Sequence, residues 1–146
     1  MSRRLLALIG ALILLPVLGF DAPREYDDAT VQGSELEGVW QFETIEYDGQ
    51  KFPNASHLIF HKGQWKWGEL KPNLSGPYKE DAGQKPGWVD MTTTNMPTAK
   101  STMKAIYRID GDTLQMANGP RAVDRPTGFD TKNSPGVAVW TLKRVK

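Results

Sequence analysis

The chain has 146 residues, no cysteine, and 18 lysines and arginines against 17 aspartates and glutamates. Without cysteine it can have no disulfide, no catalytic thiol and no thiolate metal site. The balanced charge lacks the basic face that nucleic-acid binding requires, so we expect no nucleic-acid partner. The length suits a single domain.

The first segment is typical of a secretory signal peptide. Two arginines precede an apolar run over residues 5–20, and small residues favour cleavage after Gly19. A spanning helix needs about 20 apolar residues, and this run is shorter. We therefore predict an exported protein, periplasmic or extracellular, with residues 1–19 removed and no membrane span after cleavage. The alternative is an anchor formed by the uncleaved segment.

Residues 20–34 are polar and acidic, which predicts a linker or a short helix ahead of a folded domain at 35–146. The first strand of that domain carries Trp40 and Phe42 on one face. Farther along, the apolar residues are Ile45 and Tyr47, so the alternation changes phase near residues 43–44. A β-bulge explains that change, and an Asp-Gly pair then ends the strand in a turn.

A hairpin follows over residues 58–67. With Lys62-Gly63 as a two-residue loop, Phe60 lies opposite Trp65 and Leu58 lies opposite Trp67. All four apolar side chains then share one face, because residues opposite each other in a ladder point the same way. The other face carries His57 and His61 toward solvent.

A second hairpin spans residues 104–117, and its register can be argued from the apolar pattern. A turn at Gly111-Asp112 pairs Ile109 with Leu114, whereas a turn at Asp110-Gly111 would pair Ile109 with an aspartate. A slip of one residue sends every side chain to the opposite face, so the first register is predicted. Gly111 then supplies the positive φ of a type II′ turn.

Further strands are predicted at 76–79, 88–92 and 137–143, with loops at 70–77, 80–87 and 118–136. The total is about eight short strands with hairpin-like spacing and no long amphipathic helix. We predict an all-β fold, an antiparallel up-and-down barrel, because closure removes exposed sheet edges. A β-sandwich is the alternative.

Five segments of the chain carry a resemblance to a known family. Gly38-Val-Trp40 resembles the G-x-W element of lipocalins, in which a basic residue of the last strand lies over the tryptophan, and Arg144 occupies the matching position. Together with residues 48–51, 106–114, 125–129 and 141–145, this series looks like the lipocalin-like domain family abundant in planctomycete bacteria. The resemblance covers residues 35–146 and implies a secreted or fused single domain with no established activity.

The two histidines suggest a metal pair only if they lie on a helix. In a strand, His57 and His61 stand about 13 Å apart, far beyond the ~2 Å bonds of one zinc ion. We therefore predict solvated histidines and no metal site. Likewise, Asp110 and Asp112 flank a glycine in the manner of turn chemistry and lack the further oxygen ligands of a calcium loop.

The sequence contains few features that indicate catalysis. A Ser-His-Asp set can be assembled only from distant segments, and no Gly-x-Ser-x-Gly elbow exposes a serine. Asp90 follows an apolar residue and precedes a run of threonines, and we place it on the exterior of an edge strand. We therefore expect no catalytic residues and no enzymatic activity.

Aromatic residues are the candidates for a core or for a binding site. Eight are expected to point into the barrel: Trp40, Phe42, Phe60, Trp65, Trp67, Trp88, Tyr107 and Trp140. An eight-stranded barrel is either packed by side chains or just wide enough for one small ligand, and so many rings favour packing. If a ligand binds, Trp65, Trp67, Trp88 and Tyr107 are expected to supply its contact area.

Arg125 precedes a proline in the long loop at 118–136, and two roles are open to it. Its fork of donors can anchor a ligand near the barrel mouth, or it can tie the loop to carbonyl groups of neighbouring strands, which is favoured.

Two functions remain in view. The first is a non-enzymatic module that binds a small apolar or aromatic molecule at one barrel end. The second is an interaction module with a filled core, whose loops or outer sheet contact an envelope protein. A hydrolase ranks third.

Overall fold

The computed structural model describes residues 34–69, 73–95, 101–119 and 124–146. The predicted signal peptide and the predicted linker up to residue 33 lie outside these residues. The described residues contain no helix and nine strands: β1 (Gly38–Tyr47), β2 (Gln50–Pro53), β3 (His57–His61), β4 (Gln64–Trp67), β5 (Leu74–Asp81), β6 (Gly87–Thr93), β7 (Ser101–Asp110), β8 (Thr113–Asn118) and β9 (Ala138–Arg144).

Eight of the strands close into an antiparallel barrel. The hydrogen-bonded order runs β1-β3-β4-β5-β6-β7-β8-β9, and β9 pairs again with β1. The predicted barrel is therefore confirmed, and the alternative of a sandwich is wrong. β2 is an additional strand that was not predicted from the sequence, and it lies outside the ring, paired only with β1 among the described strands.

Both predicted hairpin registers are confirmed. Phe60 lies opposite Trp65, and Leu58 lies opposite Trp67. Ile109 lies opposite Leu114, and the turn between them is centred on residues 111–112. Gly111 has a φ of 58° and the next residue has a negative φ, as a type II′ turn requires.

The predicted bulge is also present. Along the β1–β9 ladder, Phe42 lies opposite Leu142 but Thr44 lies opposite Thr141, so Glu43 is the extra residue. The bulge bends β1, and its two halves pair with different strands on one side: residues 38–41 with β3, and residues 44–47 with β2. The β1–β2 hairpin therefore extends one end of the barrel.

One loop prediction needs correction. β5 begins at Leu74, so residues 74–77 belong to a strand rather than to the predicted loop at 70–77. Glycine and proline there suggest a loop, but β5 and β6 approach each other closely at Gly76. A Cβ on Gly76 would lie 1.8 Å from the Thr92 carbonyl oxygen, so the strand passes because this residue has no side chain.

The barrel has two ends, which we call the lower end and the upper end. The lower end carries Gly38, Arg144 and the hairpin turns at 62–63 and 111–112. The upper end carries the β1–β2 hairpin, Trp67, Leu74, Asn118 and Ala138. Between the ends, buried apolar side chains from all eight barrel strands form one cluster, which includes Trp40, Phe60, Met91, Leu114 and Leu142.

Candidate functional site

The lower end is closed by the G-x-W element. The guanidinium carbon of Arg144 lies 4.1 Å from the centre of the Trp40 ring. The same guanidinium donates hydrogen bonds of 2.9 Å to the carbonyl oxygens of Glu37 and Glu35. The Trp40 indole donates to the Leu36 carbonyl at 2.8 Å. The Trp40 indole and the Arg144 guanidinium therefore both have partners, as expected of residues with a structural role.

Gly38 is required by that closure. It has a φ of 130°, which L side chains rarely adopt, and a Cβ would lie 3.0 Å from Nη1 of Arg144. The glycine thus leaves room for the guanidinium over the indole. The predicted roles of Gly38, Trp40, Gly111 and Arg144 as structural residues agree with these positions.

Tyr107 fills the lower interior rather than a binding site. Its ring lies over Gly87, where a Cβ would approach ring carbons to 2.5 Å. Its hydroxyl donates to the Glu80 carboxylate. Burial, and then the hydrogen bond to this carboxylate, raise the pKa of Tyr107 above its ordinary value. The side chain is 4% exposed and serves as a packed, hydrogen-bonded part of the core.

Trp65 is packed in a similar way. It is 4% exposed, and its indole donates to the Thr92 carbonyl at 3.0 Å. Its polar atom is therefore satisfied inside the protein. Of the four aromatic residues expected to contact a ligand, Trp65 and Tyr107 both lie within the filled core.

At the upper end the aromatic packing is open to one side. Trp67 stacks on Phe42 with ring centres 4.7 Å apart and meets Trp140 edge-on at 4.9 Å. Its indole donates to the Ser56 hydroxyl at 2.7 Å, which fixes the ring. Phe42 and Trp140 are buried, whereas Trp67 is partly exposed.

Trp67 belongs to a band of inward apolar side chains that solvent reaches. Its members pack against the core and are only partly buried: Ile45, Trp67, Leu74, Met103 and Ala138. They come from five strands and surround the upper end. We call these five residues the upper rim.

The β1–β2 hairpin extends this rim. Tyr47 shares a face with Ile45, and Phe52 lies directly opposite Ile45 in the ladder. Both aromatic rings therefore lie on the face turned toward the barrel mouth, and they are 51% and 50% exposed. We call Tyr47 and Phe52 the lip. The lip was not predicted, although the Asp-Gly turn at 48–49 is a hairpin signal that predicts a returning strand.

Trp88 and Arg125 lie elsewhere. Gly87, Val89 and Met91 occupy the inward positions of β6, so Trp88 points outward and is 40% exposed. The expectation that Trp88 faces inward is wrong, because the alternation of buried residues along β6 decides its face and the apolar character of the side chain does not. The guanidinium of Arg125 covers the outer side of this indole, 4.5 Å from the ring centre.

Arg125 ties the long loop to the barrel wall. It donates to the Ala105 carbonyl at 2.7 Å and to the Asp90 carboxylate at 2.6 Å. These contacts match the second of the two predicted roles of Arg125, the tie to carbonyl groups of neighbouring strands. Asp90 is exterior as expected, but β6 pairs on both sides and is not an edge strand.

Residues 124–136 form a strap across the outside of the barrel. Phe129 packs on a second apolar cluster made by Ile106, Ala117, Val137 and Val139, and it is covered by the Arg108 guanidinium at 4.2 Å. Farther along, Thr131 donates to Glu46 at 2.6 Å and accepts the Gly49 amide at 3.1 Å. Thr131 is 2% exposed, so the strap holds the β1–β2 hairpin from outside.

The histidines lie on the outer face of β3, as predicted. His57 contacts Glu69 through Nδ1 at 2.7 Å, and His61 contacts Glu37 at 2.8 Å. The hydrogen bonds from His57 lower the pKa of Glu69. Each histidine has its own carboxylate partner, and the described part of the chain has no group of three or more residues able to hold a metal ion.

A depression of about 250 Å³ lies on the outside of β5 and β6. It is lined by Pro77, Tyr78, Lys79, Asp90, Thr92 and Thr102. Ligand pockets are typically about 300 Å³ or larger and mostly apolar. This depression is smaller than that, so the upper rim and lip make the better candidate site.

Comparisons with protein-family models, with curated proteins and with solved structures each gave no match. Among the described residues, no helix has the length and apolar character needed to cross a bilayer.

Proposed function

We propose that the protein is a non-enzymatic binding module that holds a small, partly apolar molecule at the upper end of its barrel. One observation carries the proposal: the upper rim leaves apolar side chains partly exposed, and the lip leaves two aromatic side chains half exposed, on a single inward-turned surface. Contiguous exposed apolar surface on a soluble domain marks a binding site more often than chance.

The filled interior limits the ligand to this end. Buried side chains occupy the barrel from Trp40 up to Phe42 and Trp140, where the aromatic cluster forms a floor. A ligand therefore lies on Trp67 and under the lip rather than deep in the barrel. Of the residues predicted to contact a ligand, Trp67 keeps that role in the proposal, and Tyr47 and Phe52 join it.

An interaction module is the second candidate, and the lip supports it. Two aromatic rings that are half exposed on a protruding hairpin are also suited to contact a protein partner in the cell envelope. The two candidates differ in the size of what binds, so a small probe discriminates between them.

Nile red, a neutral dye that brightens in apolar surroundings, tests the proposal. We expect saturable enhancement with the wild-type domain and about fivefold or greater weakening in Phe52→Ser and Trp67→Leu, a change of about 1 kcal/mol. Val39→Ser is the matched control, because Val39 is 37% exposed near the lower end. No enhancement, or equal weakening in the control, would overturn the small-ligand proposal.

We also infer export, with cleavage after Gly19, from the sequence of the first twenty residues. N-terminal sequencing of protein from the culture medium or periplasm tests this. A mature chain beginning at Phe20 is expected, and an intact N-terminus in the membrane fraction would indicate an anchor instead.

A further inference from the structure

Asn118 carries a polar group that the described structure does not satisfy. It is the last residue of β8 and is 8% exposed. Its side-chain Nδ2 is buried and has no hydrogen-bond partner among the described residues. Native proteins pair almost all buried N–H groups with protein, water or ligand, because an unpaired one is unfavourable. An acceptor that binds beside Asn118 would therefore gain a hydrogen bond that Nδ2 does not make to any described residue.

The side chain lies on the inner face of the barrel. Leu114 and Met116 alternate with outward residues along β8 and belong to the core, and Asn118 continues that alternation. Its neighbours in the ladder are Ala105 on β7 and Ala138 on β9. The amide thus lies in a row of small side chains at the upper end.

One large ring faces this row from across the barrel. In the closed ring of eight strands, β4 lies four positions from β8, which is the opposite wall. Trp67 ends β4 on the inner face. A flat or chain-like apolar molecule lying on Trp67 therefore has its far end directed toward the small residues around Asn118.

A flexible side chain lies near Asn118 at the mouth of the barrel. Met103 is the inward residue of β7 that follows Ala105 toward the mouth, and it is partly exposed. Methionine has three rotatable side-chain bonds and repacks at low cost. Movement of the Met103 side chain would widen the approach to Nδ2.

We infer that the ligand carries an uncharged hydrogen-bond acceptor, such as a ketone, ester or amide carbonyl, which accepts a hydrogen bond from Nδ2 of Asn118. This inference rests on the function proposed above. The described inward residues of the upper rim, lip and small row carry no charge, so a carboxylate there would lose its hydration without gaining a cation.

Three probes of one shape test the inference by isothermal titration calorimetry: 2-acetylnaphthalene with a carbonyl, 2-ethylnaphthalene without one, and 2-naphthoate with a negative charge. Wild type should bind the ketone about tenfold more tightly than the hydrocarbon, as expected for one buried hydrogen bond. In Asn118→Leu the two affinities should become equal, while that for the hydrocarbon is unchanged or higher.

Asn118→Ala provides a second variant that lacks the donor, and it should lose the preference for the ketone as well. A carbonyl labelled with ¹³C gives an independent reading. Its infrared stretch should move to lower frequency on binding wild type and not on binding Asn118→Leu, a change that a purely structural role would not produce.

The outcomes separate the two proposals. If ketone and hydrocarbon bind equally to wild type, or if 2-naphthoate binds most tightly, the inference about Asn118 is overturned while the upper-end site stands. If none of the three probes binds, the proposed function fails together with it.

Discussion

The two ends of the barrel are built from similar aromatic residues and differ in how far those residues are covered. At the lower end, Trp40 is covered by Arg144 and its indole is hydrogen-bonded. At the upper end, Trp67, Tyr47 and Phe52 remain partly or half exposed, and the amide of Asn118 is unpaired among the described residues. The covered lower end is explained by stability, and the more open upper end is the one that we propose as the binding site.

The largest expected effect lies at the lower end. Trp40→Ala should lower the free energy of unfolding by about 3–5 kcal/mol, because it removes a fully buried ring and leaves Arg144 without its platform. Urea denaturation measures this. Trp67→Ala at the upper end should cost less because its ring is partly exposed, and equal losses would contradict the contrast between the ends.

Gly87→Ala should cost about 1–3 kcal/mol, because the added methyl group would meet the ring of Tyr107 at 2.5 Å. The neighbouring hydrogen bond to Glu80 would be disturbed as well. Gly128→Ala is the matched control, since nothing lies within 4 Å of the position that its Cβ would occupy. The two thermal unfolding midpoints should differ clearly, and a tolerated Gly87→Ala would show that the ring moves freely.

Tyr107 should make the domain sensitive to alkali. Its pKa is raised in the folded state above the ordinary value of 10.0, so the folded protein holds this proton more tightly than the unfolded chain. The resulting stability is present below pH 10 and is lost as the pH rises beyond it. Tyr107→Phe should therefore show a smaller loss of stability between pH 9 and pH 11, measured by urea denaturation at each pH. A loss equal to that of wild type would contradict this prediction.

The smallest effect concerns the strap. Thr131→Val removes the hydroxyl that bridges Glu46 and the Gly49 amide, and should cost about 1 kcal/mol. Hydrogen exchange at the Gly49 amide should become faster. The Val145 amide, which donates to Val39 at the lower end, serves as an internal control and should exchange as before.

The barrel could be predicted because its determinants are local. Alternating apolar residues beside Lys62-Gly63 and Gly111-Asp112 specify two hairpins and their registers, and the change of phase at residues 43–44 specifies the bulge. The position of Arg144 over Trp40 was implied by the resemblance to lipocalins rather than by the pattern itself. These features need no knowledge of distant contacts.

The candidate site was harder to predict, because the exposure of its residues depends on contacts with distant parts of the chain. Trp88 is as apolar as Trp67, yet Val89 and Met91 occupy the inward positions of its strand. The unpaired state of Asn118 depends on Ala105 and Ala138 in two other strands. The outer cluster beneath Phe129 likewise joins β7, β8 and β9 to the strap, a long-range arrangement that no local pattern encodes.

The central claim is that the upper end binds and the lower end does not. Titration of ¹⁵N-labelled protein with 2-ethylnaphthalene, followed by NMR, tests it most directly. The indole N–H signal of Trp67 and the amides of Ile45 and Met103 should shift progressively, while the indole N–H of Trp40 stays in place. Shifts centred on Trp40 and Arg144, or no shifts at all, would contradict the account.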